Sequence, residues 1–85
     1  MPHYLVLAIR KPGFDEAVVA PHVAWLEDLR ARGLLVSSGG FSDRSGGAYV
    51  LHGLGSLAEA QALVATDPLA VTGNSDFTVH EWNAR

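Results

Sequence analysis

Eighty-five residues, 48% hydrophobic and 18% charged, fit one globular domain spanning residues 1–85 and argue against a mainly disordered chain. Six Lys plus Arg against nine Asp plus Glu leave a net charge of -3 with no basic run, which argues against a nucleic-acid partner. The first apolar stretch, Tyr4 to Ile9, is too short for a signal-peptide core or a membrane span, so the expected compartment is the cytoplasm and no membrane partner is expected. There is no cysteine to staple the core, and a chain this short buries only about 60% of the surface it exposes when unfolded, so a second copy is the expected source of further core.

His3 to Ile9 reads as a strand covered on both faces, placed at the sheet centre and ended by the turn Arg10-Lys-Pro-Gly13. Val19, Val23, Leu26 and Leu29 recur at three- and four-residue spacing, which predicts an amphipathic helix capped by Gly33. Pro21 suits a first helical position and disfavours helical geometry in Ala20, so the helix is expected to begin at Pro21. Residues 14–20 are then either a separate turn or a lead-in segment.

Leu34 to Val36 predicts a strand that loosens into Ser37-Ser-Gly-Gly40, where backbone can approach a ligand or another strand closely. A hairpin loop over Ser42 to Gly47 leads to the returning strand, Ala48 to His52. Ser56 with Glu59 has the capping-box pattern and opens a helix burying Leu57, Ala60, Leu63 and Val64. Asp67-Pro68 is expected to stop that helix, a loop runs through Gly73, and Phe77 to Trp82 forms the last strand.

The order β-α-β-β-α-β with right-handed crossovers defines a ferredoxin-like α+β fold, a two-layer sandwich of antiparallel sheet and helices. Two helices cover one face of the sheet only, while the first strand is apolar on both. Pairing of the open face with a second copy, a dimeric α+β barrel arrangement, would cover it, so a homodimer through sheet faces is expected.

Two residues stand out as candidates for chemistry. His22 falls between Leu26 and Leu29 on the helical wheel, inside the apolar stripe, and near a helix N-terminus whose positive end favours neutral imidazole. A core histidine bonded to a carbonyl is the structural alternative. Asp67 stands where the second helix ends, an unfavourable place for a carboxylate unless another group rewards it, although Asp-Pro is also plain turn chemistry.

Cysteine is absent, no nucleophile elbow surrounds Ser37 or Ser38, and Gly39, Gly40, Gly46 and Gly47 lack the Lys-Ser or Lys-Thr ending of a phosphate loop. Covalent catalysis and nucleotide binding are therefore not expected. The sheet order could bring His3, His52 and His80 together, but sheet-edge histidines explain them as well, and no metal is assigned. Glu27, Asp28, Arg30 and Arg32 read as a solvated helix face, and Trp25 and Trp82 as core or interface.

His22 opening a helix, Leu26, Leu29, Gly33, Ser38-Gly39, the hairpin, Ala60, Asp67-Pro68, Gly73 and the closing Val79-x-Glu81-Trp82 strand together resemble the YCII-related family, from Tyr4 to Trp82. The resemblance implies a ferredoxin-like fold dimerising through its sheets and a pocket holding a His-Asp pair, here His22 and Asp67, with Ser38 lining the same pocket. Some relatives are similar in fold to muconolactone isomerases, and one branch removes chloride from a chlorinated hydroxyhydroquinone. Gly40 departs from a frequent proline and Leu69 from a common aromatic residue, so the substrate of a characterised relative is not carried over to this chain.

The leading functional expectation is a cofactor-independent lyase or isomerase acting on a small organic molecule, with neutral His22 moving a proton and Asp67 fixing its tautomer. The competing expectation is a non-catalytic dimeric module for a small molecule or a protein partner, in which the same pair only satisfies buried polarity. A solvent-accessible cavity reaching His22 separates the two, because the enzyme requires it.

Overall fold

His3–Arg10 forms strand β1, and its alternation decides which side faces the core: Tyr4, Val6 and Ala8 are buried, while Leu5 and Leu7 are half-buried and Ile9 is exposed. The structure, a computed structural model, describes residues 2–85. β1 pairs antiparallel on both edges within a four-stranded sheet of order β2-β3-β1-β4, where β2 is Leu35–Gly40, β3 is Gly46–Leu51 and β4 is Ser75–Trp82. Its interior position agrees with its apolar run. Coverage on both faces does not hold within the protomer, because the helices pack against the Tyr4, Val6, Tyr49 and Leu51 side alone.

Helix α1 spans Val19–Ala31 and follows a short 3-10 turn, Glu16–Val18, whose first free N–H groups meet the Asp15 side chain at Ala17. The helix therefore begins two residues before Pro21. Proline at the third helical position removes an N–H that has no intrahelical acceptor anyway, which outweighs the preference against helix at Ala20. At the other end Gly33 (φ 74°) turns the chain, with Leu34 N–H donating to Leu29 O at 2.9 Å and Gly33 N–H to Arg30 O at 3.0 Å. These two bonds are a Schellman closure.

β2 keeps its strand pairing through the small residues to Gly40, with a bulge between Leu35 and Ser37 instead of a loosening. Gly46 and Gly47 belong to β3 and not to the hairpin loop. A Cβ at Gly47 would lie 2.5 Å from Gly39 O and one at Gly46 2.0 Å from Ala8 O, so side-chain-free positions are what let the three strands close here.

α2, Leu57–Val64, starts where its capping-box pattern predicts: Ser56 Oγ accepts from Glu59 N–H at 3.1 Å, while Glu59 Oε2 accepts from Gly55 N–H, one residue before the cap, at 2.6 Å. The segment expected as loop after Asp67-Pro68 is instead a one-turn helix, α3, Pro68–Val71, with Asp67 as its N-cap. The same dipeptide that ends one helix begins the next, since proline at the first helical position and aspartate before it are start signals too. Among the described residues no helix is long and apolar enough to cross a membrane.

Two apolar clusters fill the layer between sheet and helices. The larger joins Tyr4, Val6, Tyr49 and Leu51 to Leu26, Leu29, Ala60 and Val64, and the smaller joins Ala8, Val18 and Leu69 with Phe14 and Phe77 against them. Residues of both border one cavity.

Candidate functional site

Asp67 is fully buried (0% exposed), and its carboxylate accepts three hydrogen bonds from three different parts of the chain. Leu69 N–H donates to Oδ1 at 2.9 Å, which is the cap of α3. His22 Nδ1 lies 2.8 Å from the same oxygen, and Tyr49 O–H donates to Oδ2 at 3.0 Å. The cap reverses the electrostatics expected at this position: the carboxylate sits at the positive start of α3 rather than facing only the negative end of α2.

Burial pushes the Tyr49 phenol far above its ordinary range, with the Asp67 charge and the hydrogen bond adding to it, so Tyr49 remains a protonated donor. A carboxylate oxygen accepts, so Nδ1 is the imidazole nitrogen that donates in this pair. The ring plane is fixed by aromatic neighbours. Trp25 stacks on it with centroids 6.4 Å apart and planes 21° apart, and Tyr49 lies 6.1 Å away. Trp25 is held in turn by its Nε1–H, which donates to Thr66 Oγ1 at 3.0 Å.

The His22 side chain is 16% exposed and faces a cavity of about 250 Å³ between the sheet and α1. Ser38 lines this cavity too, because its pairing with Tyr49 turns it to the helix side of β2. Gly40 and Leu69 are both in the wall. Beyond Ala8 the cavity reaches Arg10, Phe14 and Ser75. Arg10 Nη1 donates to Glu16 Oε1 at 3.1 Å, and its guanidinium carbon sits 4.2 Å above the Phe14 ring. Ser75 is 6% exposed, and its Oγ has no hydrogen-bond partner.

The three site residues named from the sequence thus border one space, His22 and Ser38 directly and Asp67 behind His22. The histidine grouping on the other face is only partial. His3 and His52 rings lie 5.8 Å apart with planes tilted by 35°, whereas His80 lies opposite Leu5, and no group of three His, Asp or Glu side chains able to hold a metal ion occurs among the described residues. Trp25 belongs to the site, while Trp82 is 44% exposed on the open face.

Sequence reasoning missed Tyr49, Arg10 and Ser75. Strand alternation carried a signal for Tyr49, since it shares a face with Leu51 and a buried phenol needs an acceptor. Arg10 and Ser75 meet only through the β1–β4 register, which pairs residues 65 positions apart.

Comparison with known proteins agrees with this architecture. A relative in Bacillus subtilis, the uncharacterized protein YjpA, is 40% identical over 82 residues, covering 96% of this chain and 95% of its own. Among solved structures, 5-chloro-2-hydroxyhydroquinone dehydrochlorinase (TftG) from Burkholderia phenoliruptrix, in complex with 2,5-dihydroxybenzoquinone, superposes with a TM-score of 0.75 at 22% identity, over 98% of this chain and 95% of that one. An antibiotic biosynthesis monooxygenase superposes with a TM-score of 0.64 at 17% identity, over 100% and 99% of the two chains. At such identities the two structures speak for the fold. The model of the YCII-related domain matches residues 3–83, and with it the 40% identical relative makes this chain a member of the YCII-related family.

Proposed function

We propose that the protein is a small-molecule enzyme that moves a proton without a cofactor, of lyase or isomerase type. The observation that carries this reading is His22, whose Nδ1 is held by a buried carboxylate while its ring borders a cavity large enough for a single-ring compound. Nε2 takes a proton from an acidic C–H or O–H of the substrate, and the imidazolium that forms is stabilised by Asp67. Return of that proton to another atom gives isomerisation; departure of a leaving group with its bonding pair gives elimination.

Tyr49 and Leu69 N–H hold the carboxylate in place, so the base is aimed before substrate arrives. The dehydrochlorinase of the same fold supports chemistry on oxygenated rings, and Gly40 and Leu69 in the wall are positions that would set which ring is taken. General acid–base help of this kind supplies about 10² to 10⁴ in rate, enough for an activated substrate such as a phenol or an acidic carbon.

A homodimer through the open sheet face belongs to the same proposal. Leu5 and Leu7 are only half-buried there and Ile9 and Trp82 are each 44% exposed, which is apolar surface in want of a partner. The second reading, a non-catalytic binding module, draws on the fact that Asp67 and Tyr49 satisfy each other whether or not a reaction occurs.

The test is proton exchange. Wild type and Asp67→Asn are incubated in D₂O with a panel of phenols, lactones and ring ketones bearing acidic C–H bonds, and the His22 tautomer is read from its ¹⁵N shifts. Wild type is expected to show the Nδ1–H form and catalysed exchange, and Asp67→Asn to mix tautomers and lose about 10²-fold or more in rate. A folded Asp67→Asn protein with unchanged tautomer and unchanged exchange sinks the acid–base reading.

A further inference from the structure

We infer that the end of the cavity remote from His22 is a carboxylate subsite formed by Arg10 and Ser75, so that the substrate is a small organic acid. The inference rests on the reading of the cavity as a substrate pocket and names the chemical class that pocket takes.

Arg10 and Ser75 are direct partners in the β1–β4 register, and both lie on the helix side of the sheet with Val6 and Ala8. Tyr49 pairs with Val6, so the two ends of the cavity are separated by four residues of β1, about 13 Å of strand. A single ring with one substituent fits between them.

Ser75 carries the argument. A hydroxyl that is 94% buried by its residue's 6% exposure, and that has no partner, is destabilising unless something supplies one. Ser75 lines the cavity, so a turn of its side chain toward that space would give the hydroxyl a ligand oxygen as the partner it lacks. Arg10 adds a cation at the same end, positioned over Phe14 and by Glu16 rather than left free to swing.

Arg10 shares Glu16 with a second cation, because the same carboxylate oxygen also lies 3.7 Å from Arg44 Nη2. The neighbouring charged pair, Lys11 with Asp76, is neutral in sum. One guanidinium edge and one hydroxyl match the two oxygens of a carboxylate. A phosphate would leave an oxygen without a donor here.

The roles at the two ends then divide. Arg10 and Ser75 bind the acid group and set the orientation of the ring, which puts the opposite edge of the substrate at His22 and Ser38. Neither Arg10 nor Ser75 takes part in the proton transfer.

The probes are benzoate and its neutral isostere benzamide, titrated into the full chain and followed by amide ¹H–¹⁵N shifts. Benzoate is expected to bind about tenfold more tightly or better, with the largest shifts at Arg10 and Ser75. Arg10→Gln should abolish the preference. Ser75→Ala should weaken benzoate by about threefold or more while leaving thermal stability equal or higher, since the orphan hydroxyl is gone. This second variant keeps the test open if Arg10→Gln disturbs the fold.

Equal affinities for the two probes, binding of neither, or a preference that survives Arg10→Gln and vanishes in His22→Gln would each overturn the subsite. The preference with its Arg10 dependence, found together with no catalysed exchange on any carboxylated phenol, would uphold the subsite and remove the acid–base reading.

Discussion

The two faces of the sheet are built from the same strands yet reach different states. On the helix side Val6 and Leu51 are fully buried and Tyr4 and Tyr49 nearly so, and a cavity opens beside them at His22. On the other side Leu5, Leu7 and Val50 stop half-way, and Ile9, Val36 and Trp82 are exposed. The first face is complete within one chain and the second is not. Residue type alone does not separate them, since both are apolar on β1; what separates them is which side the helices can reach.

The largest effect expected from this comparison is on the finished face. Leu51→Ala removes a side chain with 0% exposure and should destabilise the protein by about 2–5 kcal/mol in denaturant unfolding, at any protein concentration. A loss under about 1 kcal/mol would mean that this core is looser than its burial indicates.

On the unfinished face the response should depend on concentration. Sedimentation of wild type is expected to report a dimer and Leu7→Glu a folded monomer, with the unfolding midpoint of wild type alone rising with protein concentration. A monomeric wild type would break the comparison at this point and leave the open face to another partner.

The smallest effect belongs to the hairpin loop, which lies on neither face. Hydrogen bonds from the Ser45 hydroxyl and N–H hold the Asp43 carboxyl below its ordinary value of 3.8. The unfolded chain therefore takes up this proton first as the pH falls, so the contribution is complete above about pH 4 and is lost below it. Amide shifts of Ser45 should move only in that acid range and stay flat from neutral pH down to it, while the core amides do not follow.

Element order, α1 with its buried Leu26 and Leu29, the capping box of α2 and the family were all legible in the sequence, because each rests on periodicity or on contacts within a few residues, whereas Val23, read into the same stripe, is 48% exposed. Pro21 and Asp67-Pro68 were misread for a common reason. Both signals act at helix starts and helix stops alike, and tertiary packing decides which use prevails. The residue patterns name His22 and Asp67 singly, and it is the family resemblance that pairs them and adds Ser38, because the hydrogen bond between His22 and Asp67 spans 45 residues and depends on how α1 lies on the sheet. Tyr49, Arg10 and Ser75 stayed hidden because strand register, not local pattern, brings them to the cavity.

The threefold engagement of Asp67 has a consequence for how such a protein can change over evolutionary time. Its carboxylate closes the first turn of α3, anchors the phenol of β3 and orients the imidazole of α1, so only the last of these tasks can be given up without loosening the fold. Under the proposed acid–base reading, a descendant that lost the reaction would shed His22 early and keep Asp67 for architecture alone. Retention of the aspartate is then poor testimony for activity, and the histidine across from it is the better witness.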